Sequence, residues 1–444
     1  MNLQSSNPTM RAIRAGRTAN ASRPPRRWII WLISIGIFLP YTFGDTGKYV
    51  IALLSLPALF ALISLSSKGR RRIMACDLFV WAAVTWMLLV KIGSSELFAT
   101  ASDALALFGS YMVARSFVYG EPAVREFTRA LKIVALALVA LSLLDTLTGT
   151  FFIVDLLGKI FQYPRAYGTA GLHRSLFGFD VLRATSTFGH PILFGSFCSV
   201  AAAIFLAGGG SIVQRIFYSG VCLLGCVLSV SSAPILGVVI VAVVVAYDRL
   251  LHSSPQRWTV LFVVVAAAAC LSFALSNNPL TWLLRNLTAD PVDAYYRLLI
   301  WANATDYIAL SPIVGTDPVA WSTNEILHTI DSVWLVLAMS YGLPMVALLL
   351  LASLSACGVS TRKLNLRLSS AAIVRARTGF SLTLFLFAYL GLTVHFWGGV
   401  WMFWGLCLGI RASLEDYCSA RSLSTSSPRN LQPAFGGIGG HRHL

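Results

Sequence analysis

The stretch RATSTFGHPILFGSFCSVAAAIFLAG, from Arg183 to Gly208, decides the class of fold. From Pro191 onward it is a mostly apolar run, preceded by a short polar turn that carries Arg183 and His190. Helices that cross a bilayer need roughly 17–25 mostly apolar residues. Pro191 suits the first helical position, where the missing N–H of proline costs no hydrogen bond. The stretch therefore predicts a membrane helix that follows a polar turn.

The composition extends this reading to the whole chain. Of 444 residues, 57% are hydrophobic and only 12% are charged, and the mean hydropathy is +0.73. Soluble domains carry about 25% charged residues, so this chain could not cover a water-exposed surface. We predict an all-α polytopic membrane protein. Its net charge of +16 then indicates basic cytoplasmic loops rather than nucleic-acid binding.

The apolar runs number about twelve. They are residues 28–44, 49–67, 73–90, 101–118, 132–150, 191–208, 217–233, 234–247, 257–276, 332–355, 379–396 and 398–411. The seventh and eighth runs are separated only by SVSSAPILG, where two serines and Pro234 favour a break because proline fits badly inside a continuous helix.

The distribution of Lys and Arg tests this division. With the N-terminus inside, the inside segments hold 26 of the 34 Lys and Arg residues and the outside segments hold 8. Cytoplasmic loops of membrane proteins carry such an excess. An even number of spans places both termini in the cytoplasm. Removing one span would reverse every later loop and destroy the bias.

This topology gives three regions and two long loops. Residues 1–27 form a basic arm and residues 413–444 a polar Ser-, Arg- and Gly-rich tail, and we predict both to be disordered and cytoplasmic. Residues 28–412 form a single transmembrane domain. Its long outside loops span about 151–190 and 277–330 and are expected to contain short amphipathic helices. Long loops in compact proteins are usually functional.

The second long loop predicts an amphipathic helix from Asp293 to Leu310, stopped by Ser311 and Pro312. Arg297 and Trp301 are four residues apart and share one face of it. A helix lying on the outer membrane surface would bring Arg297 to anionic groups, and the planar guanidinium suits a diphosphate. The alternative is an arginine that reaches from an interfacial helix to the headgroups, and composition alone favours it.

His328 and Asp331 lie three residues apart, just before the tenth apolar run. On a helix the carboxylate would orient and polarise the imidazole, as the partner of a catalytic base does. Alternatively, Asp331 is the N-cap of the helix, accepting hydrogen bonds from free backbone N–H groups. Spacing alone favours the cap.

The first long loop carries Arg174 and Arg183 on the side where positive charge is scarce. That position raises the expectation of an anionic ligand, although an interfacial arginine before a helix is the simpler reading. His190 is expected to be structural. Asp103 and Asp145 lie toward the outer ends of spans, where they could line a cavity or pair with an arginine. His395 lies in an aromatic-rich turn that reads first as an interfacial belt.

Three stretches resemble the O-antigen ligase/polymerase family of bacterial envelope glycan enzymes. RATSTFGHPILFG (183–195) is similar to an Arg followed by Ser/Thr and Phe-x-x-Pro-x-x-x-Gly. YYRLLIWANATDYIALSPIVGTDP (295–318) is similar to an Arg-x-x-x-Trp helix followed by Pro-x-x-Gly. DSVWLVLAMSYGLPMVALLL (331–350) is similar to Asp-Asn-x-Tyr/Trp-Leu followed by Gly-Leu. The order and spacing of these stretches, rather than any one of them, carry the resemblance.

The resemblance implies a GT-C-like glycosyltransferase of the bacterial inner membrane. Such an enzyme takes a glycan from undecaprenyl diphosphate on the periplasmic side, needs no metal ion or other cofactor, and works beside other polysaccharide export proteins. The arginines would stabilise negative charge on the leaving diphosphate, and a base would take the proton of the acceptor hydroxyl. The implied diphosphate ligands are Arg183, Arg297 and Arg174, the base is His328 or Asp331, and the glycan contacts are Trp301 and Tyr296.

The chain departs from the family pattern at two positions. Ser232 stands where many members have an arginine, so either one phosphate-binding arginine is missing or Arg174 or Arg165 replaces it. Ser332 stands where the Asn of the Asp-Asn pair is expected. The Asp-led third stretch favours a repeat-unit polymerase over a ligase that transfers glycan to lipid A–core. A secondary transporter is the non-enzyme alternative, and it predicts inverted repeats and buried charges at the midplane.

Overall fold

The computed structural model describes residues 27–40, 46–69, 71–161, 172–176, 179–251, 253–254, 256–275, 291–316, 330–358 and 370–426. This part of the chain is almost entirely helical. In chain order, its elements are α1 (Arg27–Gly36), α2 (Thr46–Ser67), α3 (Ala75–Val90), α4 (Leu97–Phe117), α5 (Gly120–Thr148), α6 (Phe152–Phe161), β1 (His173–Leu176), β2 (Phe179–Leu182), α7 (Pro191–Ala207), α8 (Ile212–Leu228), α9 (Ser232–Leu250), α10 (Arg257–Leu275), α11 (Pro291–Leu310), α12 (Val333–Tyr341), α13 (Leu343–Ala356), α14 (Ala371–Leu390) and α15 (Gly398–Ser426).

The helices support the prediction of a membrane protein. Five of them are long and apolar enough to cross a bilayer, and they lie in α2, α4, α5, α9 and α14. Shorter apolar helices occupy most of the other predicted runs, in α1, α3, α7, α8, α10 and α13. The predicted break between the seventh and eighth runs is confirmed, since α8 ends at Leu228 and α9 begins at Ser232.

Small residues let the central helices approach closely. Nearly all of α7 is buried, and it packs against α8, α9 and α14. A Cβ on Gly195 would lie 2.5 Å from the hydroxyl of Ser229, and one on Gly237 would lie 2.6 Å from that of Ser199. Helix α15 packs on α4 through Gly405 and Gly409 in the same way. Without a hydrophobic driving force between helices in lipid, close backbone packing of this kind stabilises the bundle.

The bundle has two chemically different ends. The Arg115 end holds buried ion pairs among Arg71, Asp77, Arg115, Arg377, Arg411, Glu415 and Asp416. The Trp397 end holds Asp103, His190, His395 and Trp397. Asp103 and Arg115 both lie on α4, twelve residues apart, so the two ends are separated by about 18 Å at 1.5 Å per residue.

The structure differs from the sequence expectations at three places in the fold. The tenth predicted run, 332–355, is broken at Gly342 into α12 and α13. A two-stranded antiparallel hairpin, β1–β2, lies in the first long loop, and its four-residue strands are too short to give a readable period-two pattern. Helix α15 continues to Ser426, beyond the predicted start of the disordered tail at Ser413. Glu415 and Asp416 are buried there because arginines from other segments neutralise them. The arm before Arg27 and the residues after 426 lie outside the described residues.

Candidate functional site

The turn before α7 is held in place by Asp145 of α5. One carboxylate oxygen of Asp145 accepts hydrogen bonds from the backbone N–H groups of Thr185 (3.2 Å) and Ser186 (2.8 Å). The other accepts one from the N–H of Phe152, at 2.9 Å. Ser186 has a φ of +54°, which is uncommon for a residue with a Cβ. The carboxylate therefore fixes a turn that the backbone would not adopt unaided.

Arg183 joins this turn to the break between α8 and α9. Its Nε donates to the carbonyl of Ser229 at 3.1 Å, and its Nη2 donates to the hydroxyl of Ser231 at 2.9 Å. Between those serines, Val230 has a φ of +44°, a strained conformation for a β-branched residue. The break is the position at which the resemblance leads one to expect a second arginine, and here Arg183 reaches it from the turn.

His190 caps the helix that follows. Its Nδ1 accepts a hydrogen bond from the N–H of Ile192 at 3.3 Å, and Pro191 begins α7 as predicted. Burial, with a smaller contribution from the positive charge of Arg183, lowers the pKa of His190 to about 4. The imidazole is therefore neutral at pH 7 and can accept this bond. These contacts agree with a structural role for His190.

Ser332, not Asp331, is the N-cap of α12. Its hydroxyl accepts from the N–H of Leu335 at 3.4 Å and donates to the carbonyl of Gly391 at 2.8 Å. The cap interpretation of Asp331 is therefore wrong, because the helix begins one residue later than the sequence suggests. Asp331 is exposed. His328 lies outside the described residues, so its relation to Asp331 stays a prediction.

Helix α11 begins at Pro291 and ends at Leu310, directly before Ser311 and Pro312 as predicted. Its second half does not lie freely on a surface but packs beside α12, where Ile300 and Ala304 join a buried cluster with Leu335 and Met339. The remaining members of that cluster and its border are Ile330, Trp301, Tyr307, Ile308 and Val336.

The predicted ligands on α11 lie at its first half and middle. The indole N–H of Trp301 donates to the carbonyl of Leu392 at 3.3 Å. Arg297 is half-buried and lies close enough to Tyr389 of α14 to interact with it electrostatically. Tyr296 is 39% exposed. Helix α11 is thereby fixed both to α12 and to the segment after α14.

The segment after α11 crosses the break between α12 and α13. The N–H of Leu343 donates to the carbonyl of Pro312 at 2.8 Å, and the N–H of Thr316 donates to that of Met339 at 2.6 Å. Gly315 and Gly342 have φ values of +76° and +78°, and a Cβ on either would collide with the backbone of the other segment. These glycines are thus required by close backbone contact. The Pro-x-x-Gly and Gly-Leu patterns of the second and third stretches are packed against each other.

Two cavities lie side by side at the Trp397 end. The first, of about 280 Å³, is lined by α12 residues from Val333 to Tyr341, by Glu96 and Thr100, and by His395. The second, of about 230 Å³, is lined by the turn residues 187–189 and by residues 47–48 and 398–399. Asp103 and Trp397 line both cavities. The turn of the first stretch and the helix of the third therefore face the same two side chains.

The charges around these cavities are paired. Lys48 approaches Asp103 at 3.2 Å, and Lys91 approaches Glu96 at 2.7 Å. Burial lowers the pKa of His395 to about 4, against a smaller opposing effect of Asp103. The Trp397 ring lies between two imidazoles, 6.2 Å from His190 and 5.5 Å from His395 between ring centroids. The first cavity thus presents neutral imidazole, carboxylate and hydroxyl groups beside an aromatic ring.

The structure brings some of the predicted site residues near the cavities and leaves others apart. None of Arg174, Arg183 and Arg297 lines either cavity. Arg183 lies near the cavities because it is close to His190, which neighbours Trp397. Arg174 lies on β1, where it is exposed opposite Val181. Within the described part of the chain, no three His, Cys, Asp or Glu residues are placed to hold a metal ion.

Asp103, His395 and Trp397 are more central to the cavities than the sequence indicates. Asp103 was a candidate for lining a cavity or pairing with an arginine; it lines both cavities and pairs with Lys48. His395 and Trp397 belong to an aromatic turn that resembles an interfacial belt. The available signal was a histidine beside an aromatic residue in the turn between two spans, which composition alone does not separate from a membrane anchor.

The ion pairs at the Arg115 end have the contacts of a structural network. Arg115 donates to both carboxylate oxygens of Asp77 (2.9 and 3.1 Å) and to Asp416 (3.0 Å), and Arg71 donates to Asp416 at 2.7 Å. The side chains of all four are 2% exposed or less. Two cations and two anions neutralise one another here, as expected of a structural network.

Comparison with known proteins gives no further direction: no protein-family model matches the chain, and no curated protein matches it.

Proposed function

We propose that this protein is a membrane glycosyltransferase that polymerises oligosaccharide repeat units carried on undecaprenyl diphosphate, during exopolysaccharide or O-antigen synthesis. The observation that carries the proposal is the pair of cavities that meet at Asp103 and Trp397. Two of the three stretches that resemble the O-antigen ligase/polymerase family line these cavities, and the remaining one packs against α12. Separate parts of the chain that share a resemblance thus converge on one place.

The proposed topology has about twelve spans in a GT-C-like arrangement in the bacterial inner membrane, with both termini cytoplasmic. The excess of Lys and Arg in the predicted inside segments supports it. The Arg115 end then faces the cytoplasm and the Trp397 end faces the periplasm. Both cavities would open where a carrier-linked glycan is presented after it has crossed the membrane.

In the proposed reaction, Arg183, Arg297 and Arg174 stabilise the diphosphate as it leaves. His328 or Asp331 accepts the proton of the attacking hydroxyl, and Trp301 and Tyr296 contact the glycan. Helices α7 and α15 begin beside the second cavity, and helix N-termini favour anions through their unpaired N–H groups. The proposal needs no metal ion, because arginines and helix ends supply the positive potential.

The reaction is tested with purified protein and lipid-diphosphate-linked oligosaccharide. We expect Arg183→Ala and Arg297→Ala to slow elongation at least 100-fold, the size of effect found when one transition-state donor is removed. Arg125→Ala is the control, because Arg125 is exposed and pairs with Glu121 on the first turns of α5. Elongation at the wild-type rate by both site variants would refute the diphosphate role.

Polymerase and ligase are separated by deleting the gene and resolving the surface polysaccharide on a gel. Loss of long chains with one repeat unit retained indicates a polymerase. Absence of glycan on lipid A, with lipid-linked chains accumulating, indicates a ligase.

A polysaccharide-related transporter is the second candidate function. The observation in its favour is the break at Gly342, because transporters bind substrates at discontinuous helices. Against it, the cavity residues Asp103 and His395 lie at one end of the bundle, and the buried ion pairs of Arg71 and Arg115 with Asp416 lie at the opposite end. Uptake or release of glycan by liposomes that contain the protein, with no new glycosidic bond formed, would favour the transporter.

A further inference from the structure

We infer that the 280 Å³ cavity binds an uncharged sugar ring of the acceptor glycan, with Trp397 stacking on the ring and with His395 and Asp103 bonding its hydroxyls. This inference rests on the proposed function and assigns one of its substrates to one of the two cavities. The carrier diphosphate is then expected to bind on the side of the turn that carries Arg183.

The wall of the cavity favours a neutral polar ligand over an anion. Among the described residues that line it, none is Lys or Arg, while Glu96 and Asp103 contribute carboxylates. Both carboxylates already pair with a lysine, Lys91 or Lys48, so the wall itself offers a diphosphate no cation. Carboxylates and the hydroxyls of Thr100 and Ser340 are suitable partners for sugar hydroxyls. The volume of about 280 Å³ equals about nine water molecules at ~30 Å³ each, which is room enough for one monosaccharide ring.

Trp397 supplies the apolar part of the recognition. Its side chain is 39% exposed although it lines both cavities, whereas Trp401 on the same wall is 5% exposed and donates its N–H to the backbone of Asp103. The Trp397 ring is thus the one with area to offer a ligand. The C–H face of a sugar ring would cover that area and remove it from water.

His395 supplies a matching polar group. Its ring forms no hydrogen bond with any of the described residues, yet it lies in the cavity wall, 5.5 Å from the Trp397 ring centroid. A neutral imidazole has one donor and one acceptor, and a sugar hydroxyl can serve either of them. The pKa of about 4 keeps it neutral at pH 7. The charged and titratable groups that face it across the cavity are Asp103, Glu96 and Tyr341.

The test is equilibrium binding of a glycan that carries no diphosphate. The probe is the repeat-unit oligosaccharide released by mild acid from the cell's own surface polysaccharide, titrated against the full-length protein in nanodiscs. We expect Trp397→Ala and His395→Ala each to weaken binding at least tenfold. Trp397→Phe and His395→Gln, which keep an aromatic face and a donor–acceptor pair, stay within about threefold. Trp258→Ala, at an exposed position on α10, is the control and binds as the wild type does.

The outcomes separate this inference from the proposed function. Wild-type protein that fails to bind the oligosaccharide, or alanine variants that bind it unchanged, overturns the sugar site. An elongation assay on the same preparations decides the proposed function independently. Loss of binding in the alanine variants without any elongation by the wild type would support the sugar site and refute the glycosyltransferase. If both hold, the two alanine variants raise KM for the acceptor and leave KM for the lipid-diphosphate donor unchanged.

Discussion

Replacing Arg115 by methionine tests how the Arg115 end is held together. The substitution keeps an unbranched side chain but removes three hydrogen bonds to carboxylates. Asp77 then loses its arginine and keeps the hydroxyl of Tyr111 and the N–H of Met74. Asp416 keeps Arg71. Removing one member of a buried ion pair costs about 3–5 kcal/mol, and we expect about 3–4 kcal/mol here because Asp416 retains a cation.

The assay is reversible unfolding of the purified protein in mixed micelles, followed by circular dichroism. Arg125→Met is the matched control, because its pair with Glu121 is 75% exposed at the arginine and such pairs contribute under about 1 kcal/mol. The double variant Arg115→Met with Asp77→Asn removes the stranded charge and should recover at least about 1.5 kcal/mol of the loss, since coupled neighbours are not additive. If Arg115→Met alone changes the free energy of unfolding by less than about 1 kcal/mol, the buried ion pairs do not hold the Arg115 end together.

Three further predictions concern the turns at the Trp397 end. Gly315→Ala should detach the segment after α11 and make it susceptible to protease, because the new Cβ would collide with the backbone of α12. Gly93→Ala, also at positive φ but in open space, should only lower the free energy of unfolding by about 1–2 kcal/mol. Equal protease resistance in the two variants would contradict the contact at Gly315. Asp145→Asn should lower the free energy of unfolding by about 1–3 kcal/mol and slow elongation, because one carbonyl oxygen cannot replace two carboxylate oxygens that accept three N–H bonds. An unchanged melting temperature would contradict the role of Asp145 in holding the turn. The pKa values of His190 and His395 lie near 4, below the unfolded value of about 6.5, so the unfolded chain takes up these two protons first as the pH falls. The melting temperature should therefore fall between pH 6.5 and pH 4, and it should fall less in His395→Gln. A melting temperature that does not change with pH would contradict the burial of the two histidines.

The helices could be predicted from the sequence because long runs of apolar residues stand out clearly from the polar segments between them. The break at residues 229–231 was also predictable, since serines and Pro234 mark it. The break at Gly342 was not. A glycine in an apolar run more often serves close helix packing, and Gly342 is needed here because a Cβ would collide with the carbonyl of Ile313, which lies 29 residues earlier in the chain.

The C-terminal boundary shows the same limit. Arg411, Glu415 and Asp416 look like the start of a polar tail, because charged residues are costly in a helix bundle. Their burial depends on Arg71 and Arg377, and Arg71 lies 345 residues away from Asp416. Composition read along the chain cannot reveal a neutralising partner at that distance.

The cavities combine predictable and unpredictable parts. The place of Asp103 near one end of its helix could be predicted from the sequence, as could the polar turn that carries Arg183 before α7. The pairing of Asp103 with Lys48 and the placement of Trp397 between two cavities depend on how α2, α4 and α15 pack. Periodicity within one helix does not determine that packing.

The structure of the protein bound to an undecaprenyl-diphosphate-linked oligosaccharide tests the central claim most directly. The account predicts the glycan against Trp397 and Asp103, with the diphosphate on the side of the Arg183 turn and the lipid tail between helices. A ligand bound at the Arg115 end, or one that leaves both cavities empty, would contradict it.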